Sequence, residues 1–207
     1  GPPSEAIGLR ERALVIRKEM GDMVGYIWGL SGLSSALTNL GQYAAADSVT
    51  QEQLILSKKQ YGTANGNYFF ALINTAFLYR GLSDYKKMKD CLDSAAVVDL
   101  SIGGEYRDLL NVVMVSYLYD VGQYKEAAHL TQNNIKRDPS GGNHNQYGRI
   151  LIQLGQYARA DSILRIALSK VKNNPDLENA IYLNLSVNLD NWGRQKEAFE
   201  YTQKALA

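Results

Sequence analysis

The sequence predicts an all-α protein, an α-solenoid built from antiparallel helix pairs, and three observations lead there. The triplet Gly-Gln-Tyr occurs at Gly41-Gln42-Tyr43, Gly122-Gln123-Tyr124 and Gly155-Gln156-Tyr157, with degraded copies at Ser83-Asp84-Tyr85 and Gly193-Arg194-Gln195. The glycine slot therefore recurs at positions 41, 83, 122, 155 and 193, in steps of 42, 39, 33 and 38 residues. A period of that size marks a stack of like supersecondary pieces. Second, the segments on both sides of each triplet have helical apolar spacing: Leu30, Leu33, Leu37 and Leu40 before the first copy, Ala160, Ile163, Leu164 and Ala167 after the fourth. Third, Ala46, Ala127, Ala160 and Ala198 stand three places past the tyrosine slot, with Met88 in the second copy. A residue free to take positive φ ends the first helix, and a small one lets the second approach it closely. The tyrosine covers that contact with its ring and leaves its hydroxyl in water.

Taken in order, residues 4–21 read as one amphipathic helix through Ala6, Ile7, Leu9, Ala13, Leu14 and Ile16. It looks like the second helix of a repeat whose first half lies upstream. Residues 1–3, with Gly1-Pro2, read as the remnant of a cleaved tag. Five helical hairpins follow at 22–62, 63–103, 104–140, 141–174 and 175–207, forming one solenoid domain, with longer connectors from Gly62 to Asn67 and from Ile102 to Glu105. Ala205-Leu206-Ala207 ends inside a helical pattern without a polar capping helix, so the chain is expected to be a piece of a larger protein.

Composition narrows the function. The 207 residues carry 22 basic and 21 acidic side chains, a net charge of +1, which gives no long-range field for nucleic acid or for a membrane surface. Apolar runs such as Ala95 to Val98 fall far short of the ~18 residues that span a bilayer. A lone Cys91 forms no internal disulfide and fits a reducing compartment, the cytoplasm ahead of the periplasm. His129 and His144 lack a second histidine or cysteine at metal-ligand spacing and are expected at the surface. Cys91 stands beside Asp90 and Asp93, whose charge raises its pKa. Ser140-Gly141-Gly142-Asn143 follows Pro139 and lacks a phosphate-loop lysine, so it reads as an inter-repeat turn. No nucleophile, base and oxyanion donor assemble into an active site, and neither an enzyme activity nor a cofactor is expected.

The pattern resembles the tetratricopeptide repeat (TPR). In the copy beginning at Gly141, Gly148 falls on the family's glycine slot, Leu151 on the following aromatic slot, Ala160 and Ala167 on the second-helix alanines and Leu164 on the bulky slot. Pro139 falls on the terminal proline of the copy before. The signature tryptophan is missing throughout, Val115 fills a small-residue slot, and Thr50, Thr131 and Thr202 fill bulky ones. The resemblance implies a right-handed superhelix whose first helices line a concave groove for a peptide or a helix of a partner protein. Carried over slot by slot, that lining holds Trp28, Ser31, Ser35 and Thr38, then Phe70, Ile73, Asn74, Phe77 and Arg80. It continues with Val112, Ser116, Tyr119 and Asp120, then Asn145, Arg149, Ile152 and Gln153, and ends with Leu183, Asn184, Val187, Asn188 and Asn191.

Aromatic and arginine side chains dominate interface energetics, which singles out Trp28, Phe70, Phe77, Arg80, Tyr119 and Arg149. Asn74 and Asn145 are further groove candidates, and Asn184, Asn188 and Asn191 share one helical face able to hydrogen-bond an extended backbone, for which a solvated polar face accounts equally well. Ordinary packing between first helices accounts equally well for Phe70, Ile73 and Phe77, and Trp28 is equally placed to cover the neighbouring second helix. The family's clamp for a terminal carboxylate is not expected, because Ser31 and Ser35 occupy its slots and supply no charge-assisted bond. Two functions fit this array. One is a protein-binding scaffold. The other is a sensory or regulatory segment of a larger signalling protein (a sensor kinase, transcription regulator or caspase-like protease), acting through self-association or through contact with another domain of its own chain.

Overall fold

The structure, a computed structural model, describes residues 3–206; Gly1, Pro2 and Ala207 lie outside the described residues. Eleven α-helices and no strand occur among them. They are α1 (Pro3–Glu19), α2 (Met23–Asn39), α3 (Tyr43–Tyr61), α4 (Gly66–Gly81), α5 (Tyr85–Ser101), α6 (Arg107–Asp120), α7 (Tyr124–Arg137), α8 (Gly141–Gln153), α9 (Tyr157–Ser169), α10 (Pro175–Asn191) and α11 (Gln195–Leu206). The chain divides into two compact units, Gly1–Val113 and Met114–Ala207.

The helix boundaries follow from local chemistry. At the first triplet the Gly41 N–H donates to the carbonyl of Thr38 and the Gln42 N–H to that of Leu37, with Gly41 at φ +71°. This left-handed residue closes the helix end and turns the chain back. Gly122, Gly155 and Gly193 do the same at φ +77°, +69° and +81°, and Ser83 in the degraded copy adopts φ +57° despite its side chain. At the other end, side chains cap α2, α4, α8 and α10. Asp22 accepts from the Gly25 N–H, Asn65 from Tyr68, Ser140 from Asn143 and Asn174 from Leu177. Each satisfies a backbone donor that the helix leaves open.

In the first unit α2 packs on α3 and α4 on α5, and α2 also lies along α4. Ile7, Leu14, Tyr26, Leu30, Leu33, Leu37, Ala46 and Leu78 form a continuous buried cluster there. In the second unit α8 packs on α9 and α10 on α11, with α8 along α10, around Tyr147, Leu151, Ala160, Leu164, Ala167, Ile181 and Leu185. Ala46, Ala127 and Ala160 are fully buried. Gly148 permits a close approach of α8 and α9: a Cβ there would meet the Leu164 side chain at 2.5 Å.

Three expectations are corrected. His144 is buried in α8, its Nδ1 2.8 Å from the Ser140 carbonyl oxygen, because Ser140 caps a helix that already begins at Gly141. The segment read as a turn is therefore that helix's first turn. Ile73 and Ile152 are buried, so these two carried-over lining positions belong to the core.

Candidate functional site

In the first unit the facing sides of α2 and α4 enclose a cavity of about 440 Å³, lined by Ser35, Thr38, Asn39, Asn74, Phe77, Arg80 and Gly81. Five of the seven are polar or charged, and Phe77 supplies the aromatic wall, 38% exposed. Asn74 is fixed by its own amide, whose Nδ2 donates to Ser31 Oγ at 2.7 Å and to Gln53 Oε1 at 3.1 Å. One side chain thus ties α4 to α2 and α3.

Toward the N-terminal ends of the same helices lies a chain of rings. Trp28 packs on Phe70 with centroids 5.6 Å apart, Phe70 on Tyr106 at 4.9 Å, and Tyr106 stacks on Phe69 at 5.0 Å. Trp28 remains 49% exposed and leans on α4, while Phe69 is fully buried beneath. Tyr106 is held at the entry to α6 because its N–H donates to Asp99 Oδ1, whose other oxygen accepts from Arg107 Nε at 2.6 Å. The Asp99 carboxylate is itself fully buried. On α2, Tyr26 donates from its hydroxyl to Glu52 Oε1 at 2.8 Å, and burial followed by that bond pushes its pKa up to about 12.

The second unit is built differently. Arg149 lies over the Tyr119 ring at 4.8 Å, and Tyr124 meets Tyr119 edge-on at 5.5 Å. Asn184 Nδ2 donates to Asn145 Oδ1 at 2.8 Å, joining α10 to α8. Leu183 and Val187 on α10 are half exposed. Asn188 does not join this surface. It is fully buried, and its Nδ2 donates to the Tyr157 carbonyl at 3.0 Å, so its place as a groove residue is withdrawn. A run of asparagines sharing a helical face resembles a solvated polar face, but Asn188 serves instead to satisfy the turn entering α9.

Of the residues singled out in the sequence, Trp28, Phe70, Asn74, Phe77 and Arg80 are brought together by α2 and α4. Tyr119 with Arg149, and Asn145 with Asn184, form two separate pairs. Sequence reasoning missed Tyr106, Asn39, Gly81 and Gln53. Of these, Gln53 left a signal: it occupies the slot that Ala95 and Ala167 fill in other repeats, and a buried amide there needs a partner.

Cys91 is half buried, and burial pushes its thiol up to about 11, with the Asp90 charge contributing less. Desolvation rather than neighbouring charge is therefore the main cause. Among the described residues no group of three or more histidine, cysteine or acidic side chains is placed to hold a metal ion. Nor is any helix among them long and apolar enough to cross a membrane.

Neither family models nor curated proteins match the sequence. Solved structures do match the fold. BtubC (BKLC) from P. vanneervenii superposes with a TM-score of 0.76 at 13% identity, over 99% of this chain and 90% of that one. The nearly identical TPR-like repeats of a putative kinesin light chain from Podosopora anserina give 0.68 at 13% identity, over 86% and 92%. YrrB, described as a TPR protein with an unusual peptide-binding site, gives 0.53 at 18% identity, over 94% and 91%.

Proposed function

We propose that this chain, whose fold is the α-solenoid of tetratricopeptide-repeat proteins, is a protein-interaction scaffold that takes a peptide or helix of a partner against its first helices. The observation that carries the reading is the α2–α4 cavity, where an aromatic wall, a fixed amide and hydroxyls meet in one concave space. Its volume falls within the ~300–1,000 Å³ range of ligand pockets, and such pockets pair apolar walls with a few placed polar groups. The likeness to a TPR protein with a peptide-binding site supports the same reading.

In this function Trp28, Phe70 and Phe77 supply contact area, Asn74 and Arg80 supply polar contacts, and the Tyr119–Arg149 pair and Asn184 of the second unit form additional contact surface, whereas Asn145 is buried and is withdrawn as a groove residue, serving to hold Asn184. Neither a cofactor nor a catalytic step is involved. A random-peptide selection against the intact chain tests it. Selected peptides are expected to bind Phe77→Ala or Trp28→Ala at least about fivefold more weakly, because truncating an interface anchor costs more than ~1 kcal/mol. Circular dichroism should show unchanged helix content. Peptides that bind both variants as well as the parent would overturn the assignment.

A further inference from the structure

The dipeptide Asn-Gly occurs once in the sequence, at Asn65-Gly66, and the fold uses its two residues for unconnected reasons. Asn65 caps α4: its Oδ1 accepts from the Tyr68 N–H at 3.0 Å, and its Nδ2 donates to the Gly62 carbonyl at 2.6 Å. Gly66 makes room for Tyr106, since a Cβ there would meet the tyrosine hydroxyl at 2.7 Å. Together they are reactive. The backbone nitrogen after an asparagine can attack the side-chain carbonyl carbon, and glycine obstructs that approach least because it has no Cβ. The Gly66 N–H is moreover among the first amides of α4, which find no acceptor within their own helix. Gly62, Thr63 and Ala64, leading into the cap, are exposed, so this connector can swing aside through water.

We infer that Asn65 is a site of spontaneous covalent modification, converting to aspartate and isoaspartate, and that the change releases the α3–α4 connector from its bonds to α4. The Gly66 nitrogen bonds to Asn65 Cγ, the Cγ–Nδ2 bond breaks, and the side-chain nitrogen leaves as ammonia with the proton that Gly66 gives up. Water then opens the cyclic imide at one of its two carbonyls, which yields aspartate by one route and isoaspartate by the other. Water is the only other reactant. In aspartate a second oxygen stands in place of Nδ2, facing the Gly62 carbonyl oxygen with no hydrogen between the two acceptors. In isoaspartate the main chain runs through the former side-chain carbon, and the oxygen that the Tyr68 N–H needs is displaced as well. The intact cap slows the reaction without stopping it, because Asn65 must leave both partners first and releasing an N-cap carries a population factor of roughly two to thirty.

The test is incubation of the intact chain at neutral pH beside the peptide acetyl-Thr-Ala-Asn-Gly-Asn-Tyr-amide, which copies residues 63–68. Proteolytic mapping with fragmentation mass spectrometry locates the products. Asn65 is expected to convert roughly two- to thirtyfold more slowly than the peptide, to give both aspartate and isoaspartate, and to react ahead of every other asparagine in the chain. Asn65→Ser, which keeps a capping oxygen, should leave the folded chain free of isoaspartate over the same period. In the converted chain, hydrogen exchange should quicken at the Tyr68 amide and stay unchanged in α5. An Asn65 that is still intact when the peptide has fully reacted overturns the site, as does faster conversion at another asparagine. Unaltered exchange at Tyr68 after conversion overturns the release of the connector.

Discussion

The two units use one backbone pattern to present opposite surfaces. In the first, rings pack on rings, from Trp28 through Phe70 and Tyr106 to Phe69, and a cavity opens beside them. In the second, cations over rings predominate, with Arg149 on Tyr119, Arg159 on Tyr147, Arg165 and Lys204 on Tyr201, and Arg194 on Trp192, beside the ring pairs Tyr119–Tyr124 and Tyr182–Tyr201; the first unit has Lys18 on Tyr26 and Lys87 on Tyr79. Its facing amides, Asn145 and Asn184, bond to each other. Both units leave some buried polar atoms without a partner, Thr38 Oγ1 in the first and the Asn134 amide in the second, so the contrast lies in their rings and cations. The shared turns and alanines set the scaffold, and the few lining residues decide whether a groove is receptive.

Substitutions can break or sharpen that contrast. The largest effect is expected in the ring seam. Phe69→Ala removes a fully buried ring and should destabilise the chain by about 3–5 kcal/mol, read by urea denaturation. Ala46→Leu and Ala160→Leu probe what the units share, the contact at fully buried alanines, and each should cost about 1–3 kcal/mol through overpacking. A marked inequality between them would mean that the two hairpins are not packed alike. Ser83→Gly should stabilise by about 1–2 kcal/mol by relieving a left-handed residue with a Cβ, and Gly155→Ser should cost a similar amount, both visible as opposite shifts of the melting temperature. Arg149→Ala should be the mildest change, about 0.5–1 kcal/mol for an exposed cation over Tyr119. A larger loss would show that the second unit depends on its cation–ring contacts as the first depends on its ring seam.

What the sequence revealed about the fold was whatever a short stretch of chain must satisfy by itself. Gly41, Gly122 and Gly155 mark left-handed turns, and Ala46, Ala127 and Ala160 mark close helix contacts, because each is a local steric demand. The site was only partly legible. Trp28, Phe70, Asn74, Phe77 and Arg80 could be placed because helical spacing puts them on facing helices. Asn188 could not, because burial depends on a carbonyl of Tyr157 that is 31 residues away. His144 was misplaced because Ser-Gly-Gly-Asn composition resembles a turn, whereas Ser140 starts a helix and Asn143 Nδ2 donates back to the Asp138 carbonyl. Asp99 was overlooked although an acid inside the run Val97-Val98-Asp99-Leu100 is itself a sign of a buried partner, here the Tyr106 N–H and Arg107. Thr38 gave no sign in the sequence, since its distinction is a bond that other threonines make and it does not.

The two hydrogen bonds that Asn74 donates to Ser31 and Gln53 have a mechanical side. A side chain that holds three helices at once fixes the width of the channel between two of them, in the way that a tie rod fixes the spacing of two walls. A displacement that keeps the existing spacing leaves both bonds in place. One that must wedge α2 from α4 works first against the 2.7 Å contact with Ser31, and any such strain passes through the same amide to α3. Asn74 therefore couples the three helices through one amide, on top of the apolar packing of Leu30, Leu37, Ala46 and Leu78.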